Sequence, residues 1–301
     1  LMTPLHSSSA GLAAVKLLWL LALVTSSALA DDVNTFVDLR IGTAGKGFGI
    51  GGDPPGPSLP FSMVRVSPDT ASFHGVDARS WRHFGGYYFE DDYVRSVSHT
   101  HMVGSGIQDY GNIGAMPSRG AMHERRLAHD DPFRSLLRKS SEVFAPGEYG
   151  VYLETPAAQL NLTVCGPRSA LHRYDFGSAN ARDASNRAAS DMPIVAIDLA
   201  HSLPSGSIAH ASVDVDEDGA GASGFVVSKG PLTGRGGEGG VRIFFSARLR
   251  GSTPSGFGVW NDTALTQGGT VARGKRCGVW FELDQLVGSE ASDGVVELLV
   301  S

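Results

Sequence analysis

From Val33 onward the apolar residues come in short runs, several alternating with polar neighbours, and each run is cut off by glycine or proline. A two-residue period over such lengths is the signature of a β-strand with one face in water. Strands are predicted on this basis at residues 61–66, 150–154, 159–164, 193–198, 240–245, 278–282 and 294–300. Helical signals are few: one short candidate at residues 123–127 and a turn around 133–139. The polar, turn-rich stretches 178–191 and 233–239 read as surface loops. No internal repeat or domain boundary interrupts the pattern. The expected class is all-β, a large multi-stranded antiparallel β-sandwich.

The first thirty residues follow a different pattern. Lys16 precedes the apolar run 17–24, and small residues lead to Ala28-Leu29-Ala30, an A-x-A cleavage pattern. Residues 1–30 are therefore expected to be a signal peptide, with the mature chain starting near Asp31 and running as one domain over 31–301. The run is shorter than the ~20 apolar residues that span a bilayer, so no stable membrane anchor is expected. The protein should be secreted or held in the lumen of the secretory pathway. Two N-glycosylation sequons, at Asn161 and Asn261, suit that route. Cys165 and Cys277 are the only cysteines. A bridge between them would close a loop worth roughly 4–5 kcal/mol in the chain-entropy model; the alternative is two buried thiols. They lack the partners and spacing of a zinc site.

Composition narrows the partners. With 42% hydrophobic and 19% charged residues in 301, the chain can bury a core, which excludes wholesale disorder. Its 25 basic and 31 acidic residues leave a net charge of -6, so no footprint for nucleic acid or an anionic membrane is expected.

Three motifs imitate known chemistry. Gly47-Phe-Gly49-Ile-Gly51-Gly52 has the glycine spacing of a dinucleotide loop, but Asp53-Pro54-Pro55-Gly56-Pro57 follows at once and forbids the helix that such a loop must open. What remains is a loop whose backbone, at Gly52 above all, can approach a ligand or a neighbouring domain closely. Asp214-Val-Asp216-Glu-Asp218-Gly219 starts like a calcium loop, but Phe225 stands where a bidentate glutamate is required; a solvated turn is expected. Ser98-His99-Thr100-His101, followed by Gln108-Asp109-Tyr110, is the densest polar cluster. On a strand His99 and His101 would share a face and, with Asp109 as third ligand, could hold a metal. Bonds from the histidines to backbone or sugar hydroxyls are the competing use. Among the aromatics upstream, Trp81 alone lies in a polar stretch without strand patterning, free to stack on a sugar ring.

The order of segments resembles the N-terminal domain of glycoside hydrolase family 92, the calcium-dependent exo-acting α-mannosidases. Val37-Asp-Leu-Arg-Ile-Gly-Thr43 is similar to the family's opening Val-Asp-Pro-Phe-Ile-Gly-Thr, and Gly51-Gly-Asp-Pro-Pro-Gly56 leads into Pro60-Phe-Ser-Met-Val-Arg-Val-Ser-Pro-Asp-Thr70. Gly86-Tyr-Tyr-Phe89, Ser98-His-Thr-His-Met-Val-Gly-Ser-Gly106, Asp109-Tyr-Gly-Asn112 and Ala115-Met-Pro117 continue the likeness. Pro146-Gly-Glu-Tyr-Gly-Val-Tyr-Leu153 and His172-Arg-Tyr-Asp-Phe176 extend it. Leu39-Arg40 replaces the family's Pro-Phe, Ser62 replaces a glycine, and residues 119–132 and 180–191 look inserted.

The resemblance implies a supersandwich that packs on a C-terminal (α/α)6 barrel, which is absent from this chain, with the substrate cleft between the two. It implies calcium in the complete enzyme and places the metal ligands, general acid and general base mainly in the barrel. Inverting hydrolysis needs two carboxyl groups roughly 6.5–9.5 Å apart, and no pair of acids in the motif region stands out by spacing, so no catalytic residue is nominated here. The chain is expected to be the N-terminal part of a secreted α-mannosidase, inactive alone. It would contribute one wall of the cleft through Gly52, Trp81, His99, His101 and Asp109. Its partners would be mannose-containing glycans and the barrel. The alternatives are a non-catalytic carbohydrate-binding sandwich or a decayed gene fragment, and a metal-dependent hydrolase built on His99 and His101.

Overall fold

The computed structural model describes residues 33–45, 51–72, 82–104, 106–177, 192–234, 239–283 and 294–301. Two units separate by internal contacts. The described part of Leu1–Asp38 includes one 3₁₀ turn, Val33–Phe36, and Leu39–Ser301 holds the strands. The expected signal peptide, residues 46–50 and Trp81 lie outside the described residues.

In chain order the strands are β1 (Ser67–Ala71), β2 (Tyr93–Ser98), β3 (Gly114–Arg119), β4 (Ser135–Leu136), β5 (Val143–Ala145) and β6 (Glu148–Leu153). Next come β7 (Ala158–Gly166), β8 (Ser169–Asp175), β9 (Pro193–Asp198), β10 (Ser207–Val215), β11 (Gly221–Lys229) and β12 (Val241–Arg250). The last are β13 (Gly256–Asn261), β14 (Ala264–Gln267), β15 (Val271–Gly274), β16 (Cys277–Glu282) and β17 (Val295–Val300). A single turn of helix, α1 (Glu124–Leu127), lies between β3 and β4. The strands form two antiparallel sheets: β1-β2-β3-β9-β16-β13-β14, with β4 beside β2, and β15-β10-β11-β12-β17-β8-β7-β6-β5. This is the all-β sandwich the periodicity predicts.

The two sheets bury their residues differently. In the second, β8 and β17 alternate buried with partly exposed positions, as a sheet with one wet face must. In the first, every residue of β1 and β9 is buried, so both faces are covered. The cover over one face is built around two tryptophans. Trp280 stands opposite Gly258, and Trp260 opposite Gly278. A Cβ on Gly258 would lie 2.2 Å from Trp280, so the indole fits only over a missing side chain. The two indoles stack at 6.4 Å, and Phe133 packs on Trp260 at 5.6 Å. The stretch that looks inserted, with buried Leu127 in α1, is thus part of this cover; Arg276 pins it by donating to the Leu127 carbonyl at 2.8 Å.

Two expectations are corrected. Residues 61–66 do not form a strand: Phe61 has φ +59° and points fully into solvent, and the Met63 and Arg65 amides bond to the carbonyls of Pro167 and His99 in loops. The strand begins at Ser67. Cys165 and Cys277 do not pair; both are free thiols, Cys165 exposed on β7 in one sheet and Cys277 buried at the start of β16 in the other. Asp214 and Val215 close β10 and the expected turn follows at Asp216–Gly219, with Asp216 and Asp218 held by Arg248. Asn261 is exposed at the β13–β14 turn, whereas Asn161 lies within β7 and donates to Glu148 at 3.0 Å.

Candidate functional site

The loop joining β2 to β3 carries both nominated histidines, and it is held from every side. The Arg65 amide donates to the His99 carbonyl (3.0 Å), the His99 amide to Asn112 (3.1 Å), and the Gly111 amide to Thr100 (2.9 Å). At its tip the Gly104 amide donates to the Gly52 carbonyl at 3.2 Å, joining the glycine-rich loop to the histidine loop. The close approach expected at Gly51-Gly52 is made to the protein's own backbone: the Gly51 carbonyl accepts from the Gly85 amide at 2.7 Å.

His101 sits in a charged cluster. Its Nδ1 lies 2.8 Å from the Arg65 carbonyl and its Nε2 2.8 Å from Asp69 Oδ1. Both partners only accept, so both ring nitrogens carry protons and the ring is an imidazolium. Asp69 also accepts from Ser98 Oγ at 2.7 Å and from His201 Nε2 at 2.7 Å, and its side chain is wholly buried. Burial alone would raise the Asp69 pKa, but the His101 charge and the bonds from His101 and His201 hold it well below the usual carboxylate range. Burial likewise opposes the charge on His101, and Asp69 and the Arg65 carbonyl outweigh it, so that pKa is raised.

His99, two residues away, points into a different network and is neutral. Its Nδ1 donates to the Ile113 carbonyl at 2.6 Å, leaving Nε2 to accept from His172 Nε2 at 2.8 Å. His172 Nδ1 then accepts from the Tyr174 hydroxyl at 2.9 Å. One consistent set of protons satisfies this chain, which crosses from the first sheet into β8 of the second. Burial pushes the His99 pKa down to about 4, with the His101 charge adding to the effect, and burial and the neighbouring His99 hold that of His172 well below its ordinary value. Ile113 holds φ +61°, a strained conformation for a β-branched residue, as it presents that carbonyl.

The two histidines therefore do not share a face, and Asp109 does not join them. Asp109 accepts from the Leu232 amide (2.6 Å) and the Thr233 amide (3.2 Å), tethering the loop after β11. No group of three or more His, Cys, Asp or Glu side chains arranged to hold a metal occurs among the described residues. Calcium takes six to eight oxygen ligands, and the donors gathered here are two imidazoles and a carboxylate already spent on hydrogen bonds. These residues do not fit calcium.

Beside the loop lies a groove of about 650 Å³. His99, Thr100, His101 and Ile113 line it from the first sheet's side, and Met63, Met102, Tyr110, Val241, Phe244 and Ser301 from elsewhere. Its open rim carries large exposed apolar side chains, Met63 at 72% and Phe244 at 69%, beside exposed Arg168 and Arg242, whereas His99 is only 2% exposed. No Asp or Glu lines it, so it offers a binding surface without an acid–base pair. Tyr110, not nominated from the sequence, lines the groove with φ +66°, and its hydroxyl has no partner among the described residues. The Tyr-Gly pair within Asp109-Tyr-Gly-Asn112 is the signal that could have found it.

The family model "glycosyl hydrolase family 92 N-terminal domain" matches residues 36–292. The chain belongs to this family. The family 92 chain finds no significant match among curated proteins. Among solved structures it is similar to the family GH92 α-mannosidase BT3965 of Bacteroides thetaiotaomicron, with TM-score 0.71 and 23% identity over 90% of this chain and 33% of that one. A complex of the same mannosidase with mannoimidazole gives TM-score 0.70. The inverting mannosidase BT2199 of Bacteroides thetaiotaomicron VPI-5482 gives 0.64 at 16% identity, covering 88% of this chain and 30% of that one. At these identities the likeness establishes the fold. The family 92 chain spans about a third of the length of these structures.

Proposed function

We propose that this chain is the N-terminal sandwich of a secreted α-mannosidase that removes terminal α-linked mannose from glycans with inversion. In that reading the groove beside the histidine loop is one wall of the substrate cleft. A C-terminal barrel closes the cleft and brings the acid, the base and the calcium ligands. The observation that carries the proposal is the family match over residues 36–292 in a chain one third as long as its structural neighbours. The exposed apolar rim supports it, because large apolar side chains left open at a groove mark an interaction surface. The absence of a carboxylate from the groove lining supports placing the chemistry elsewhere. It equally suits a non-catalytic carbohydrate-binding module, which is the second reading.

The test compares the 301-residue chain with a version extended through the following coding sequence. The short chain should release no mannose from α-mannosides, and the extended one should release it and lose activity on calcium chelation. Turnover by the short chain alone would sink the division of labour. A stop codon directly after Ser301, together with measurable mannoside binding, would establish the binding module instead.

A further inference from the structure

A second cleft, of about 440 Å³, opens where the segment carrying α1 meets β2 and β4. Its volume falls within the ~300–1,000 Å³ of small-molecule sites. The chain as a whole is acidic, with a net charge of -6, yet the charged lining here is Arg125, Arg126 and Arg134 against a single carboxylate, Asp131. That carboxylate is already engaged from outside the cleft. Arg95 grips both its oxygens, Nε at 3.0 and 3.2 Å and Nη2 at 3.0 Å. The guanidinium charges of Arg125 and Arg126 are left with no carboxylate in the lining to balance them.

Arg126 shows the imbalance most clearly. It is half-buried, and its guanidinium donates to Ser118 Oγ at 3.1 Å and to the Arg119 carbonyl at 2.7 Å, with the Phe133 ring centroid 6.0 Å away. None of these partners carries a charge. Burial lowers its pKa, and no neighbouring anion works against that. Arg125 is exposed, and its side chain makes no hydrogen bond or ion pair among the described residues. The guanidinium of Arg134 lies 5.9 Å from the Tyr93 ring. His123 accepts the Arg126 amide proton on Nδ1 at 3.1 Å, so its proton sits on Nε2 and a further donor is present.

We propose that this cleft is a binding site for an oxyanion, a phosphate or sulfate monoester. Arginine forks match the paired oxygens of such groups, and Arg125 and Arg126 both have N–H donors to spare. Tyr93, Pro132, Leu136 and Thr155 are also in the lining. They give an organic residue a place beside the anion, and 440 Å³ is more room than a free ion fills. The cleft would bind such an anion whether or not the chain is part of a glycosidase.

The test is calorimetric titration of the 301-residue chain, at constant ionic strength set with chloride, with glucose, glucose 6-phosphate, inorganic phosphate and inorganic sulfate. Saturable binding of glucose 6-phosphate is expected, about tenfold tighter than inorganic phosphate and absent for glucose. Arg126→Gln should weaken it at least about tenfold through loss of charge-assisted bonds. That variant also loses contacts to Ser118 and Arg119, so Arg125→Gln, which disturbs no contact, is the second arm, and a threefold or greater loss is expected there. Binding that both variants leave unchanged would place the anion elsewhere and overturn the site. Equal affinity for phosphate and glucose 6-phosphate would overturn the monoester, and no saturable binding of any anion would overturn the whole proposal.

Discussion

Acid should loosen this fold through the two histidines that bridge its sheets. His99 and His172 are buried and neutral, each bonded so that adding a proton breaks a hydrogen bond and places charge in the core. Burial holds the His99 pKa at about 4 and that of His172 well below normal, whereas in the unfolded chain each takes a proton near pH 6.5. The unfolded state therefore binds more protons across this interval, and stability falls as pH falls from about 6.5. Each histidine contributes about 1.4 kcal/mol per pH unit. By pH 4.5 the pair should have lost about 5 kcal/mol, a large fraction of the ~5–15 kcal/mol of a typical domain. The charged cluster adds nothing to the loss in this window. The raised pKa of His101 keeps its contribution intact below about 6.5, and Asp69 is held low enough to stay ionised. Buried Asp198, its pKa raised, works weakly in the opposite sense. Urea unfolding at half-unit steps from pH 7 to 4.5 reads the slope, and His172→Gln should cut it about in half by removing one titrating ring. A ¹⁵N-detected titration placing the His99 midpoint near 6.5, or an unchanged slope in His172→Gln, would refute the reasoning.

Three further outcomes are expected. Asp69→Asn leaves the His101 imidazolium buried without its counter-ion and should cost about 3–5 kcal/mol at pH 6; the difference from the parent should shrink as pH rises through the raised His101 pKa, and a loss under 1 kcal/mol in urea titrations would contradict the ion pair. Gly258→Ala drives a methyl into Trp280 and should destabilise by about 1–3 kcal/mol, with a red-shifted tryptophan emission; an unchanged melting temperature would mean the indole is not packed as described. Native protein should react with Ellman's reagent at one thiol, the exposed Cys165, while Cys277, buried and with its pKa pushed up to about 12, reacts only in denaturant; zero or two native thiols would be the contrary result.

Class and strand content were legible because burial leaves a period in the sequence. Residues 193–198 coincide with β9, and 159–164, 278–282 and 294–300 fall on β7, β16 and β17 within two residues at each end. The fully buried β1 was harder to read. Ser67-Pro-Asp-Thr-Ala71 has three polar residues and a proline in five, yet β1 is buried at every position, because its polar side chains are paired inward: Asp69 with two histidines, and Thr70 with Asp91 at 2.6 Å. Propensity cannot see a polar group that is satisfied by a partner 132 residues away. The same reason hid the fate of the histidine pair. A spacing of two residues suggests one face, but β2 ends at Ser98, and beyond a strand's end alternation no longer governs direction.

That divergence limits what the groove can recognise. A sugar is read by donors and acceptors aimed at its hydroxyls, and both ring nitrogens of His99 and both of His101 are consumed within the protein. Toward the groove these residues can offer ring edges and backbone, while free polar contacts fall to groups such as the Tyr110 hydroxyl and Arg168, which is exposed at the lining. Arg242 and Ser301 are exposed there too, and the remaining exposed rim is methionine, valine and phenylalanine. Such a surface can set shape and exclude water, but it lacks the converging hydrogen bonds that separate one hexose from another. If mannosides bind here, their selection by hydroxyl orientation has to come from whatever faces this wall. Alanine at His99 or His101 should then act through the stability of the loop, while Tyr110→Phe should alter ligand affinity without altering the fold.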